Sequence, residues 1–159
     1  MVDDTAPAPP PVTLRRPVSL RRTERSLPIA LLRAREAVMG PVREMLAQSP
    51  VNEQKWRVLR VLDEEGPLPL TLVADHACLQ APSLTRIMRA MEDDGLVSRV
   101  TGTADRRTFI VCITDRGRQV IADHAAASNA LFARLEALYG KDKLETLLDL
   151  LEDLQAVKL

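Results

Sequence analysis

The sequence predicts a mainly helical protein with one small β-hairpin. Three observations carry that prediction. Most apolar residues recur every three to four positions, as on one face of a helix. From residue 96 to residue 113 the period drops to two, as in half-buried strands. Capping residues precede the periodic stretches and glycines follow them, as helix boundaries require. The chain has 159 residues, one domain's worth with room for a tail, and 46% of them are hydrophobic, enough for a core.

Residues 1–26 hold five of the eleven prolines, and five arginines lie between Arg15 and Arg25. Such a segment buries too little surface to offset its ordering entropy, so it reads as a disordered Pro/Arg-rich arm. Two roles stay open for it: a solvated tail, or an arginine arm that touches phosphate or a minor groove. A helix is expected over residues 27–48, where Leu31, Ala34, Val38, Val42 and Met45 keep one face. Pro41 inside it predicts a kink or break near Gly40. Ser49-Pro50 marks a turn, and Asn52 can cap a helix that carries Trp56, Leu59 and Leu62 and ends near Gly66. A short helix over about Leu70 to His76 follows. Another runs from Ala81 or Pro82 to Asp94 and stops at Gly95.

Leu96 to Val100 reads as a strand, Thr101 to Arg107 as a polar turn, and Phe109 to Ile113 as a second strand. Thr114 then caps a long helix that runs to about Tyr139, where Gly140 ends it. The last helix places Leu144, Leu147, Leu148, Leu151 and Leu154 on one stripe. Burying a Leu is worth about 1.5–3 kcal/mol, so these stripes need a partner, within the monomer or in a second subunit. His124 and Ser128 interrupt the apolar stripe from Ile121 to Leu138. A hydrogen-bonded core or interface histidine is the ordinary reading there, and a proton or ligand sensor the other.

Composition excludes several classes. Twenty-two Lys and Arg balance twenty-two Asp and Glu, so the chain is not basic overall. The balance is uneven along it: residues 14–60 hold eleven bases against four acids, and residues 119–159 four bases against seven acids. A locally basic face therefore remains possible. Aromatics at 3% disfavour single-strand RNA binding by stacking. Two cysteines, Cys78 and Cys112, make neither a disulfide framework nor a four-thiolate zinc site. No apolar run reaches the ~18 residues of a membrane helix, and Asp3 and Asp4 have no apolar stretch behind them. The expectation is a soluble cytoplasmic protein with no membrane partner. It is not an enzyme: there is no Ser/His/Asp motif, phosphate loop or carboxylate pair, and His76 and Cys78 at i, i+2 need not face each other. Asp75, His76, Cys78 and Cys112 lack tetrahedral-site spacing, so no metal and no cofactor is expected.

The order helix, short helix, helix, hairpin over residues 49–114 is that of a winged helix-turn-helix, whose last helix enters the major groove of double-stranded DNA. The helix at 82–94 has suitable faces. Leu84, Ile87, Met88 and Met91 point to a core, while Pro82, Arg86, Arg89 and Asp93 point away, with Ser83 and Thr85 flanking them. Arg bonds guanine O6 and N7 in bidentate fashion, and Ser and Thr reach bases or phosphates. The hairpin tip adds Asp105, Arg106 and Arg107; an Arg there can enter a narrow minor groove, held by Asp105. The plain alternatives are solvated arginines and a solvated turn. An interaction module without DNA would not need arginines on both helix and wing.

At these residues the sequence resembles the MarR family of bacterial transcriptional regulators. The stretches are Pro82-Ser83-Leu84-Thr85-Arg86, Met91 to Val97, Asp105-Arg106-Arg107 and Thr114-Asp115-Arg116-Gly117. Residues 26–37, 53–60 and 77–79 further resemble repressors of homoprotocatechuate (4-hydroxyphenylacetate) degradation operons, from which the arm at 1–26 departs. The resemblance implies a homodimer joined by terminal helices, 27–48 and 115–159, gripping a palindromic operator with half-sites about 34 Å apart. It also implies repression relieved by a small phenolic or aromatic acid bound between the dimerisation helices and the winged domain. Arg33, Arg35, Trp56, Arg57, Arg60 and His76 are the candidate liners. Arg33 or Arg35 is favoured for a carboxylate, which Arg binds bidentately. Trp56 also starts its helix's apolar stripe, which is the plain core reading, and at least two of the four arginines should be solvated. The alternative is a regulator of another operon, with a different effector or thiol oxidation at Cys78 as signal.

Overall fold

The computed structural model describes residues 22–101 and 109–158. The chain forms two compact units, residues 1–35 and 36–159. The described part of the first unit is a 3-10 turn, Thr23–Arg25, and the beginning of helix α1 (Leu27–Met45), with mostly exposed side chains. Pro28 lies in the first turn of α1, where its missing N–H removes no helical bond.

In the second unit α1 continues through Gly40 and Pro41 to Met45, without the break expected there. Proline removes one helical hydrogen bond, but flanking contacts hold the segment. Val42 and Leu46 are buried in the core, and Arg43 pairs with Glu36 across the proline and with Glu53 of the next helix. That helix, α2 (Glu53–Glu65), is capped as expected: Asn52 Oδ1 accepts the Lys55 N–H at 3.0 Å. Next come β1 (Leu68–Pro69), α3 (Leu70–His76), α4 (Ala81–Asp93), β2 (Val97–Thr101), β3 (Phe109–Ile113), α5 (Asp115–Tyr139) and α6 (Lys141–Ala156).

The expected hairpin is part of a three-stranded antiparallel sheet in the order β1-β3-β2. Two residues, Leu68 and Pro69, form the added edge strand and pair with Val111 and Ile110. So short a strand carries no alternation to read, and proline, lacking an N–H, fits only at an edge. The hairpin register pairs Val97 with Ile113 and Arg99 with Val111. Side chains of paired residues share a face, and Val97, Val111 and Ile113 bury theirs. Leu59 and Leu62 of α2, Val73 of α3, Met88 and Met91 of α4, and Leu96 pack against them, each no more than 1% exposed. Among the described residues, no helix is long and apolar enough to cross a membrane.

One corner joins three elements. The Thr114 hydroxyl donates to the Gly95 carbonyl at 2.7 Å and accepts the Gly117 N–H at 3.1 Å, which caps α5. Gly117 lies so close to the chain leaving α4 that a Cβ there would sit 2.7 Å from Ile113 Cγ1 and closer still to the Leu96 carbonyl oxygen. A backbone carbonyl cannot rotate aside as a side chain can. Gly117→Ala is therefore expected to lower the unfolding free energy by about 1–3 kcal/mol or more, read as a lower urea midpoint at unchanged slope.

Candidate nucleic-acid interface and adjoining cleft

Helix α4 is set between two turns of one design. At its exit, the Leu96 N–H bonds the Met91 carbonyl at 2.8 Å and the Gly95 N–H bonds the Glu92 carbonyl at 2.9 Å, with Gly95 at φ +68°. This is a Schellman termination, and glycine takes its left-handed position without strain. At its entry, α3 ends the same way. The Leu79 N–H bonds the Ala74 carbonyl at 2.8 Å and the Cys78 N–H bonds the Asp75 carbonyl at 3.1 Å. The left-handed position there is held by Cys78, at φ +50°, where a Cβ is disfavoured by about 1–2 kcal/mol.

Between these turns α4 buries Leu84, Ile87, Met88 and Met91 and exposes Thr85, Arg86, Arg89 and Asp93, with Ser83 half-buried. Pro82 lies in the first turn. Arg86 and Arg89 are thus one turn apart on a solvent face. Behind the helix, Lys55 Nζ of α2 donates to Asp94 at 2.6 Å and ties down the exit turn. Asp105, Arg106 and Arg107 lie outside the described residues.

A cleft of about 450 Å³ opens beside the entry turn. Its lining comes from α1 (Met39, Val42, Met45), α2 (Trp56, Arg57, Arg60, Val61), the end of α3 (His76, Ala77, Cys78) and α5 (Ser128, Asn129, Leu131, Phe132). Four of the six residues singled out for a ligand, Trp56, Arg57, Arg60 and His76, therefore meet here. Arg33 and Arg35 belong to the first compact unit, on exposed positions of α1. Arg57 Nη1 donates to the Cys78 carbonyl at 3.4 Å, while its Nε is buried and has no partner among the described residues. His76 Nδ1 donates to the Glu65 carboxylate at 2.8 Å, because a carboxylate only accepts. Trp56 is both core and lining: it is 7% exposed and meets the His124 ring edge-on, centroids 5.7 Å apart. His124 Nδ1 in turn donates to the Val120 carbonyl at 2.9 Å, which fits the hydrogen-bonded reading of that residue.

Ser128, Asn129, Phe132 and Cys78 join the lining without having been singled out for it. Ser128 carried the one signal that could have found it, a buried hydroxyl among apolar positions of α5. Asn129 and Phe132 carried none, since only the packing of α5 on α1 and α2 decides which side they face. Among the described residues, no three His, Cys, Asp or Glu side chains gather as a metal site.

Comparison with known proteins agrees with this geometry. The MarR family model matches residues 51–109. The homoprotocatechuate degradative operon repressor of Escherichia coli is 35% identical over 132 residues, covering 83% of this chain and 89% of that protein. The solved structure of NadR in complex with 4-hydroxyphenylacetate superposes with a TM-score of 0.78 at 31% identity, over 90% of this chain and all of that one. The transcriptional repressor CouR, solved on a 23-mer DNA duplex, superposes with a TM-score of 0.75 at 26% identity, over 87% of this chain and 98% of that one.

The entry turn offers a direct check. Cys78 is exposed, so removing its side chain gives up little burial, while glycine relieves the left-handed strain. Against the greater chain entropy of glycine in the unfolded state, Cys78→Gly is expected to raise stability by up to about 1 kcal/mol, measured by urea denaturation.

Proposed function

The chain belongs to the MarR family, and on that premise we propose that it is a homodimeric repressor of an aromatic-acid catabolic operon, released from its operator by a small phenolic acid. Members of this family are transcriptional regulators rather than enzymes. The observation that carries the finer reading is the cleft, where two guanidinium groups one helical turn apart, Arg57 and Arg60, face apolar walls next to the turn that leads into α4.

In this reading α4 lies in the major groove. Arg86 and Arg89 read guanine edges, Ser83, Thr85 and the helix N-terminus with Pro82 meet phosphate, and Arg106 and Arg107, oriented by Asp105, enter the minor groove from the wing. The aromatic acid lies in the cleft with its ring against Trp56 and Phe132. Its carboxylate meets Arg57 or Arg60, and its phenol is within the polar group of Ser128, Asn129 and His76. A carboxylate that engages Arg57 competes with the Cys78 carbonyl for the same donors, so binding reaches the backbone at the entry of α4. The same chemistry replaces Arg33 and Arg35 as the favoured carboxylate ligands. A relative that represses homoprotocatechuate degradation and a neighbour holding 4-hydroxyphenylacetate support that ligand class.

Dimerisation is supported by apolar surface that has no partner among the described residues of one chain. Helix α6 has no buried residue, and Leu148 and Leu150 are 52% and 60% exposed. An open groove of about 630 Å³ runs between α1 and α5, lined by Val38, Pro41, Leu131, Leu135 and Leu138. A second copy covering these faces places the terminal helices, 27–48 and 115–159, in the interface of a cytoplasmic dimer on a palindromic operator. One observation favours a second signal: the Cys78 thiol is exposed and lines the cleft, so its oxidation would act at the same turn. Slow titration of that thiol in the native protein would discard it.

The test is fluorescence anisotropy on the chain's own upstream intergenic DNA at two salt concentrations, with and without 4-hydroxyphenylacetate and homoprotocatechuate. Tight, salt-dependent binding that one acid releases is expected. Binding that neither acid releases would keep the regulator and overturn the effector. Arg86→Ala is expected to cost about 1–3 kcal/mol on the operator and relax base preference, whereas Arg106→Ala or Arg107→Ala weakens binding to all sequences and lowers the salt slope by about one. Replacing Arg60 by Ala is expected to leave DNA binding intact and weaken the response to the acid by about tenfold or more, the scale of a charge-assisted hydrogen bond.

A further inference from the structure

Arg99 has no role in the reading above, yet it joins the two DNA-facing elements. The Glu92 carboxylate, on the last turn of α4, accepts from Arg99 Nε and from Arg99 Nη2, the second at 2.6 Å. Arg99 lies on β2, and its guanidinium carbon is 5.6 Å from the centroid of the Phe109 ring on β3. The strand register puts Arg99 and Phe109 on the sheet face that buries Val97, Val111 and Ile113. The cluster therefore extends the core face outward along both strands, toward the ends of β2 and β3 between which Arg106 and Arg107 fall in the sequence. Three elements meet at one guanidinium: α4, β2 and β3.

Stability does not account for the arrangement. The Arg99 and Glu92 side chains remain 29% and 24% exposed, and partly exposed ion pairs contribute little. Electrostatic attraction to DNA does not account for it either, because Glu92 cancels the charge of Arg99 beside a surface that meets phosphates. What a two-bond planar fork does supply is a fixed relative orientation. The hydrogen bond to Glu92 also holds the Arg99 pKa above its ordinary value, against a smaller opposing effect of burial.

We infer that Arg99 is a positioning residue for DNA binding: its fork to Glu92 and its contact with Phe109 set the angle between α4 and the wing, so that both reach their grooves together. The inference rests on the proposed DNA-binding reading of α4 and the wing. It makes Glu92, an acid at the DNA-facing edge, favourable for binding.

The sign of one substitution tests it. The probe is a duplex enriched by the full-length protein from a random-sequence pool. Removing a negative charge should tighten binding if only electrostatics matters. If Glu92 holds Arg99 in place, Glu92→Gln should instead weaken binding at least fivefold, with the thermal midpoint little changed. Arg99→Lys keeps the charge, loses the fork and should weaken binding similarly. In either background, further replacement of Arg106 and Arg107 by Ala should cost much less than it does alone, since the wing is already misplaced. Unchanged or tighter binding by Glu92→Gln, or full additivity with the wing substitutions, overturns the inference while leaving the DNA-binding reading intact. A pool from which the wild-type protein enriches no duplex overturns that reading, and the inference with it.

Discussion

The close approach of Gly117 to the Leu96 carbonyl is the constraint on which the rest of the second unit depends. It lets the first turn of α5 lie directly against the chain leaving α4. Thr114 completes the contact by capping α5 with one side of its hydroxyl and holding the Gly95 carbonyl with the other. The exit of α4, the root of β2 and the start of a 25-residue helix thereby share one point. Any side chain larger than hydrogen at 117 would push these elements apart. The long helix then carries that fixed origin three turns onward to Ser128, where it forms one wall of the cleft.

The two ends of α4 use the same hydrogen-bond scheme with different residues, and the difference bears on control. Gly95 satisfies the left-handed position without strain at the end anchored to α5. Cys78 occupies it with strain at the end beside the cleft, and its carbonyl is held by Arg57. The entry is thus the weaker end, and it faces the space where an effector is proposed to bind. A ligand shifts an equilibrium only by its differential affinity for two states, tenfold for every 1.4 kcal/mol. A strained turn held by a 3.4 Å hydrogen bond is on the energy scale that a small acid can move.

Much of the local architecture was legible in the order of residues. Asn52 and Thr114 cap their helices because a short side-chain oxygen at the right offset has one obvious use. The core face of α4 follows from Leu84, Ile87, Met88 and Met91 at helical spacing, and alternation found the strand Phe109–Ile113. Where the reading fell short, the deciding contact was remote in sequence. Pro41 argued for a break in α1, but buried Val42 and Leu46 and the ion pairs of Arg43 keep the helix going. Leu68 and Pro69 became a strand only because β3 offers them an edge. The order of residues favours Arg33 or Arg35 for a carboxylate, and only the packing of the second unit brings Arg57 and Arg60 to one cleft, since a guanidinium reads the same wherever it stands.

The sequence by itself determined the helical identity of the chain, the faces of its elements, their caps and their order, because these depend on neighbours within about one helical turn. It also determined the family, since the combination of α4, wing and α5 motifs is local in each part. Tertiary structure alone decided which side chains face one another across elements: Trp56 with His124, Arg57 with the Cys78 carbonyl, Arg99 with Glu92 and Phe109. Such contacts join residues up to 68 positions apart, as from Trp56 to His124, and only the packed core brings them within bonding distance.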